Sequence, residues 1–246
     1  MINTVTYDGP QEAVPLLIAH GLFGSARNWN VIAKRLSKQR PVIVVDMRNH
    51  GESPWYDSHS YPELAQDLAH VMPKRCDVLG HSMGGKAAMV LALQYPERIR
   101  KLIVADIAPV TYTHSQMDPI NAMRAIDLSQ ITSRADAKEQ LAHLGAGVPD
   151  FLLQSLDMKT KRWVLNLDVL AADMANIIGF PEVPGQFSGP VLFLSGARSD
   201  YVQHEHRAKI RSLFPDAKFA KIKEAGHWLH AEKPRAFVDS VTAFLD

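Results

Sequence analysis

Short apolar runs bounded by turn residues recur along this chain, at residues 14–19, 41–45, 76–79, 101–105 and 190–194, and a last strand candidate follows at 219–222. Each is too short for a helix and rich in Val, Ile and Leu, so each is read as a buried strand. Between most of them the pattern changes to a helical period, over residues 29–36, 61–72 and 85–95, and again in a last helix over 234–245. Ser60 is placed as the N-cap of the second helix, and Pro96 closes the third. Residues 1–8 alternate as an outer strand would. Strand alternating with helix predicts a mostly parallel sheet flanked by helices, whose ligands bind beyond the carboxyl ends of the strands.

One stretch interrupts this alternation. From 107 to 187 no strand is expected, only helical segments near 119–126, 133–144, 151–156 and 163–175, separated by joints such as Gly145-Ala-Gly147. The chain leaves the sheet after one strand and returns at the next. Residues 107–187 are therefore expected to form an inserted helical cap, or lid, with 1–106 and 188–246 forming the core. Met117, Met123, Phe151, Leu152 and Trp163 give this cap an apolar face suited to covering a pocket.

Composition narrows the classes. The 246 residues are 46% hydrophobic and 22% charged, with a formal net charge of +1. This supports one sizeable core and offers no electrostatic case for nucleic acid or an anionic membrane. No apolar stretch approaches the ~20 residues of a membrane span, and the amino terminus lacks a signal-peptide pattern. One cysteine, Cys76, allows no internal disulfide, so a reducing, cytoplasmic location is expected.

The sequence Leu79-Gly80-His81-Ser82-Met83-Gly84-Gly85 falls where a strand gives way to a helix. A G-x-S-x-G stretch in that setting bends the backbone sharply at Ser82, and the helix amides beside it favour negative charge. Ser82 is thus the candidate nucleophile. Of eleven histidines, His227 is the favoured base, because its loop follows the last strand and opens at the same sheet end; His230 is the rival, better suited to a surface or helix-start role. His20 and His81 are read as structural hydrogen-bonding partners. The backbone amides of Leu22, in the turn His20-Gly-Leu-Phe-Gly24, and of Met83 form the candidate oxyanion hole. No metal-ligand spacing and no dinucleotide or Walker glycine pattern is present, so neither metal nor cofactor is expected.

Together the turn at 20–24, the segment Asp46-Met-Arg-Asn-His-Gly-Glu-Ser53, the elbow at 80–85, Asp106-Ile-Ala-Pro109 and Gly226-His-Trp-Leu-His-Ala-Glu-Lys-Pro234 resemble the α/β-hydrolase superfamily from end to end. Asp106-Ile-Ala-Pro109, Arg162-Trp-Val-Leu-Asn-Leu167 and Ser199-Asp-Tyr-Val202 are similar to serine esterases of the YbfF and abhydrolase-11 type. The resemblance implies the α/β-hydrolase fold and hydrolysis of carboxylic esters, extending to acyl-CoA thioesters, without a cofactor. Within it, Asp46 and Arg48 are read as tying loops together. Many members carry the triad acid in a G-x-x-D pattern after the seventh strand. Here Gly196-Ala-Arg-Ser199-Asp200 puts the aspartate one place late, and the esterases most resembled also lack an acid there. Asp106, ending the strand after the nucleophile helix, is favoured, with Asp200 as the alternative.

A small acyl ester or acyl-CoA is the expected partner, with Phe23, Trp163 and Trp228 as candidate substrate-binding residues. Lys159, Lys161 and Arg162 are read as a solvated helix face rather than a phosphate site. A serine at the elbow argues against dehalogenase and epoxide-hydrolase chemistry. Carbon–carbon bond hydrolysis, perhydrolysis and a ligand receptor that retains the triad are the alternatives, since fold does not fix chemistry. No motif specifies acyl chain length or oligomeric state.

Overall fold

A computed structural model describes residues 1–246. The strands are β1 (Thr4–Tyr7), β2 (Leu16–Ala19), β3 (Val42–Val45), β4 (Cys76–His81), β5 (Ile99–Ala105), β6 (Leu156–Asp157), β7 (Arg162–Trp163), β8 (Val191–Gly196) and β9 (Ala217–Ile222). The helices are α1 (Asn30–Leu36), α2 (Tyr61–Val71), α3 (Met83–Gln94), α4 (Met117–Ala125), α5 (Arg134–Gln140), α6 (Val148–Leu152), α7 (Leu167–Ala172), α8 (Met174–Ile178), α9 (His206–Leu213), α10 (Leu229–Glu232) and α11 (Pro234–Leu245).

Seven strands form one sheet in the order β1-β3-β2-β4-β5-β8-β9. Every pairing is parallel except that of β1 with β3. The strands β2, β4 and β8 are buried along their whole length, as strands covered on both faces must be. One face packs on α2, α3 and α9, through residues such as Leu64, Leu68, Leu91 and Ile210; the other packs on α1, the turn before it and α11, through Ile32, Trp29, Phe237 and Val241. The chain builds outward in opposite directions from the boundary between β2 and β4. That boundary is the switch point of the sheet, and the turns leaving these two strands face each other across it.

Between β5 and β8 the chain forms α4 to α8 and a two-stranded ribbon, β6 with β7. Its apolar side chains make their own cluster, including Ile120, Met123, Leu141, Leu152, Trp163 and Leu170, and Phe23 of the main body joins it. Two expectations fail in this segment. No strand was expected, yet β6 and β7 pair, and the helix expected over 163–175 is replaced by extended chain to Leu165, then α7 and α8 with a break at Asp173. The cause is competition for backbone partners: Gly51 donates to Val164 O (2.8 Å), Asn166 donates to Asn49 O (3.0 Å), and His50 bridges Leu165. Lys159, Lys161 and Arg162 accordingly lie in the β6–β7 turn and on β7, not on a helix.

Candidate active site

Ser82 sits between β4 and α3 with φ 52° and ψ −120°, a conformation that L-residues avoid and that the surrounding packing must hold. Two glycines make the bend possible. A Cβ on Gly80 would lie 2.2 Å from Gly84 O, and one on Gly84 would lie 2.4 Å from His20 O, so no side chain fits at either position.

The Ser82 hydroxyl lies 3.0 Å from His227 Nε2, to which it donates, and His227 Nδ1 donates to Asp106 Oδ2 at 2.8 Å. The aspartate is fully buried, and the imidazole is partly open to the pocket. Gly196 N donates to the other Asp106 oxygen at 2.9 Å, and Ser199 Oγ donates to Oδ2. Ser199, which occupies the place of the acid in the G-x-x-D pattern, therefore braces the Asp106 carboxylate that follows β5. Asp200 is exposed, and only its carbonyl makes a hydrogen bond, accepting from Gln203.

Several partners of this relay had weak sequence signals. His81 Nε2 donates to the His227 carbonyl at 2.8 Å, fixing the loop that carries the imidazole. Burial, followed by the nearby His230 and His227, pushes the His81 pKa well below the ordinary histidine range, so it acts as a neutral donor. Tyr201 stacks on the His227 ring at 4.1 Å between centroids. The only hint of it was its place in Ser199-Asp-Tyr-Val202. His230 is not at the surface: it is buried in α10 and stacked 4.3 Å from Trp29, because α10 turns that face inward. Asp46 and Arg48 do tie loops together. Asp46 accepts from Ala26 N, Glu52 N and Asn3 Nδ2, and Arg48 pairs with Asp67 and Glu63.

The relay opens on a cavity of about 780 Å³ lined by Ser82, Met83, Leu22, Phe23 and His227, and by Phe151 and Leu152 of the 107–187 segment. The amides of Leu22 and Met83 donate to no protein group. Trp228 lines the cavity and packs on Phe151 (5.3 Å between centroids). Trp163 does not line it. Its ring is buried in the segment's own core and its Nε1 donates to Met123 O at 3.1 Å, so the expectation that it meets substrate is corrected. Met117, Met123, Lys159, Lys161 and Arg162 are likewise absent from the lining. Lys86, one turn after Ser82, donates to Val110 O, Ile178 O and Gly179 O and so clasps both ends of the segment; burial lowers its pKa to about 7. No group of three or more His, Cys, Asp or Glu side chains is arranged to hold a metal ion.

Residues 14–234 match the family described as alpha/beta hydrolase fold. The chain is an α/β hydrolase. This α/β hydrolase is 42% identical to a mouse protein named "sn-1-specific diacylglycerol lipase ABHD11", over 97% of this chain and 83% of that one. It is 38% identical to "Esterase YbfF" of Escherichia coli, over 100% of this chain and 98% of the relative. Among solved structures, a "Marine microorganism esterase" superposes with a TM-score of 0.93 at 36% identity, covering 99% of this chain and 98% of the other. No helix of this α/β hydrolase is long and apolar enough to cross a membrane.

Proposed function

We propose that this α/β hydrolase is a serine carboxylesterase that cleaves small-molecule esters of apolar acyl chains, and acyl-CoA thioesters, through an acyl-enzyme on Ser82. The observation that carries the reading is the unbroken relay from Ser82 Oγ through His227 to the buried Asp106, at 3.0 and 2.8 Å, at the floor of a largely apolar cavity. Relatives named as an esterase and a diacylglycerol lipase support it.

In this mechanism His227 Nε2 takes the Ser82 proton as Oγ attacks the acyl carbon. Asp106 holds Nδ1–H, which fixes the tautomer and stabilises the imidazolium. The amides of Leu22 and Met83 receive the oxyanion; both are without protein acceptors, as a preorganised hole requires. Collapse of the tetrahedral species expels the alcohol or thiol, protonated by His227, and water repeats the sequence to release the acid. Residues 107–187 act as the lid, contributing Phe151 and Leu152 to the acyl pocket, and Phe23 and Trp228 complete its wall. The buried, unpaired Cys76 fits a reducing, cytoplasmic compartment.

A panel of p-nitrophenyl esters and acyl-CoAs of graded chain length tests the reading. Turnover of medium-chain members, abolished in Ser82→Ala, is the expected result. No turnover of any ester or thioester by the native chain would reject it.

A further inference from the structure

The turn that carries the Leu22 amide is held peptide by peptide. In the Gly21–Leu22 peptide, the carbonyl of Gly21 accepts from His20 Nδ1 (2.8 Å) and from Gly24 N (3.0 Å). A planar trans peptide then aims the Leu22 N–H in the opposite direction. In the next peptide, Phe23 N donates to His50 Nε2 at 3.2 Å. In the one after, the carbonyl of Phe23 accepts from Ser155 Oγ at 2.8 Å. Phe23 itself has φ 64°, an unusual value for an aromatic residue, and such a conformation persists only where its surroundings over-determine it.

The two side chains on Phe23 are buried and dedicated to it. His50 is fully buried, and its Nδ1 donates to Arg48 O at 2.9 Å, which leaves Nε2 as the acceptor that the Phe23 amide needs. Ser155 is 2% exposed and belongs to the 107–187 segment, between α6 and β6. The Phe23 ring inserts into the apolar cluster of that same segment. One residue of the oxyanion turn is thus fixed at its amide by the main body, and at its carbonyl and side chain by the helical segment.

We propose that Ser155 and His50 are positioning residues for the oxyanion hole, and that Ser155 makes the alignment of the Leu22 amide depend on the seating of the 107–187 segment. The inference rests on the serine-hydrolase reading. Without the Ser155 hydroxyl, the carbonyl of the Phe23–Gly24 peptide loses its partner and that peptide is free to rotate about the Phe23 Cα–C bond. The Gly24 N to Gly21 O bond next to it weakens, and the Leu22 amide drifts from the place where negative charge develops. Ground-state binding in the cavity is expected to hold, because Ser155 does not line it and the Phe23 ring, which does, stays anchored in the apolar cluster of the segment.

The test is Ser155→Ala in the 246-residue chain, assayed on a p-nitrophenyl ester and titrated with two ligands of equal chain length. One is an alkyl trifluoromethyl ketone, which adds Ser82 to give an anionic hemiketal; the other is the matching trifluoromethyl alcohol, which binds without adding. Complete loss of one oxyanion donor costs about 10²- to 10³-fold, so misalignment is expected to lower kcat by about 10-fold with KM unchanged. Ketone affinity should fall by the same factor and alcohol affinity should hold. Ser155→Cys, nearly the same size with a weaker donor, should fall between and carries the test if the alanine variant does not fold. His50→Leu, which fills the site but offers no acceptor to the Phe23 amide, should show the same split. Unchanged kcat and ketone affinity in the folded variants overturn the proposal, as does an equal loss of ketone and alcohol, which marks a collapsed pocket. A native chain that a fluorophosphonate fails to label at Ser82 rejects the serine-hydrolase reading together with this inference, whereas a labelled native chain beside an indifferent Ser155→Ala rejects this inference alone.

Discussion

Asp106 is the residue on which the proposed relay turns. Fully buried, it spends both oxygens on hydrogen bonds, to His227 Nδ1, Ser199 Oγ and Gly196 N. Asp106→Asn presents an amide donor to Nδ1 and so favours the wrong imidazole tautomer. The expected loss in kcat reaches about 10⁴-fold, by analogy with the serine-protease triad, while Asp200→Asn changes kcat less than about 2-fold, as expected of an exposed carboxylate with no part in the relay. Kinetics of both variants on one activated ester decide this, and a silent Asp106→Asn beside a crippled Asp200→Asn reverses the assignment. Ser82 and His227 were legible in sequence because a glycine pair and a strand-end loop are local signals. The choice between the two aspartates was only partly so. It depends on which strand end lies beneath the imidazole, and that is set by the pairing of β4 with β5 and of β5 with β8.

Among the elements, the sheet strands followed from their apolar runs, although β4 continues past Leu79 to His81, since backbone pairing with β5 outlasts the apolar side chains. The short helix α9 had no visible period: in His206–Leu213 only Ile210 and Leu213 are buried among charged neighbours. The 107–187 segment was read as helical, but its ribbon and the extended run to Leu165 are dictated by partners at residues 49–51, distant in sequence. That tertiary override also explains why Trp163 left the substrate wall while Phe151, on α6, reached it. Phe151→Ala should therefore lower kcat/KM for long acyl esters about 10-fold, the effect of losing about 1.5 kcal/mol of apolar contact. The acetyl ester should hardly respond. Equal effects at all chain lengths would mean that α6 does not shape the acyl pocket.

For the whole molecule, the buried histidines set the response to acid. Burial lowers the pKa of His20, pushes those of His50 and His81 well below the ordinary value, and brings those of His59 and His230 to about 3. In the unfolded chain each titrates near 6.5, so between that pH and 3 the unfolded state binds protons that the folded state refuses. Stability is fully present above about pH 6.5 and is lost as the pH falls toward 3. Urea midpoints measured from pH 7.5 to 4 should drop steadily below about 6.5. A flat profile would mean that these side chains are hydrated or protonated in the folded protein.

The central claim is that Ser82, and no other residue, is the nucleophile of an ester hydrolase, and covalent labelling tests it most directly. An alkyl fluorophosphonate incubated with the native chain, followed by intact mass and peptide mapping, should add one phosphonyl group per chain, located on Ser82, with esterase activity falling in proportion. Ser82→Ala should take up none and hydrolyse no ester. Label on a different residue, or an alanine variant that keeps full activity, would contradict the account.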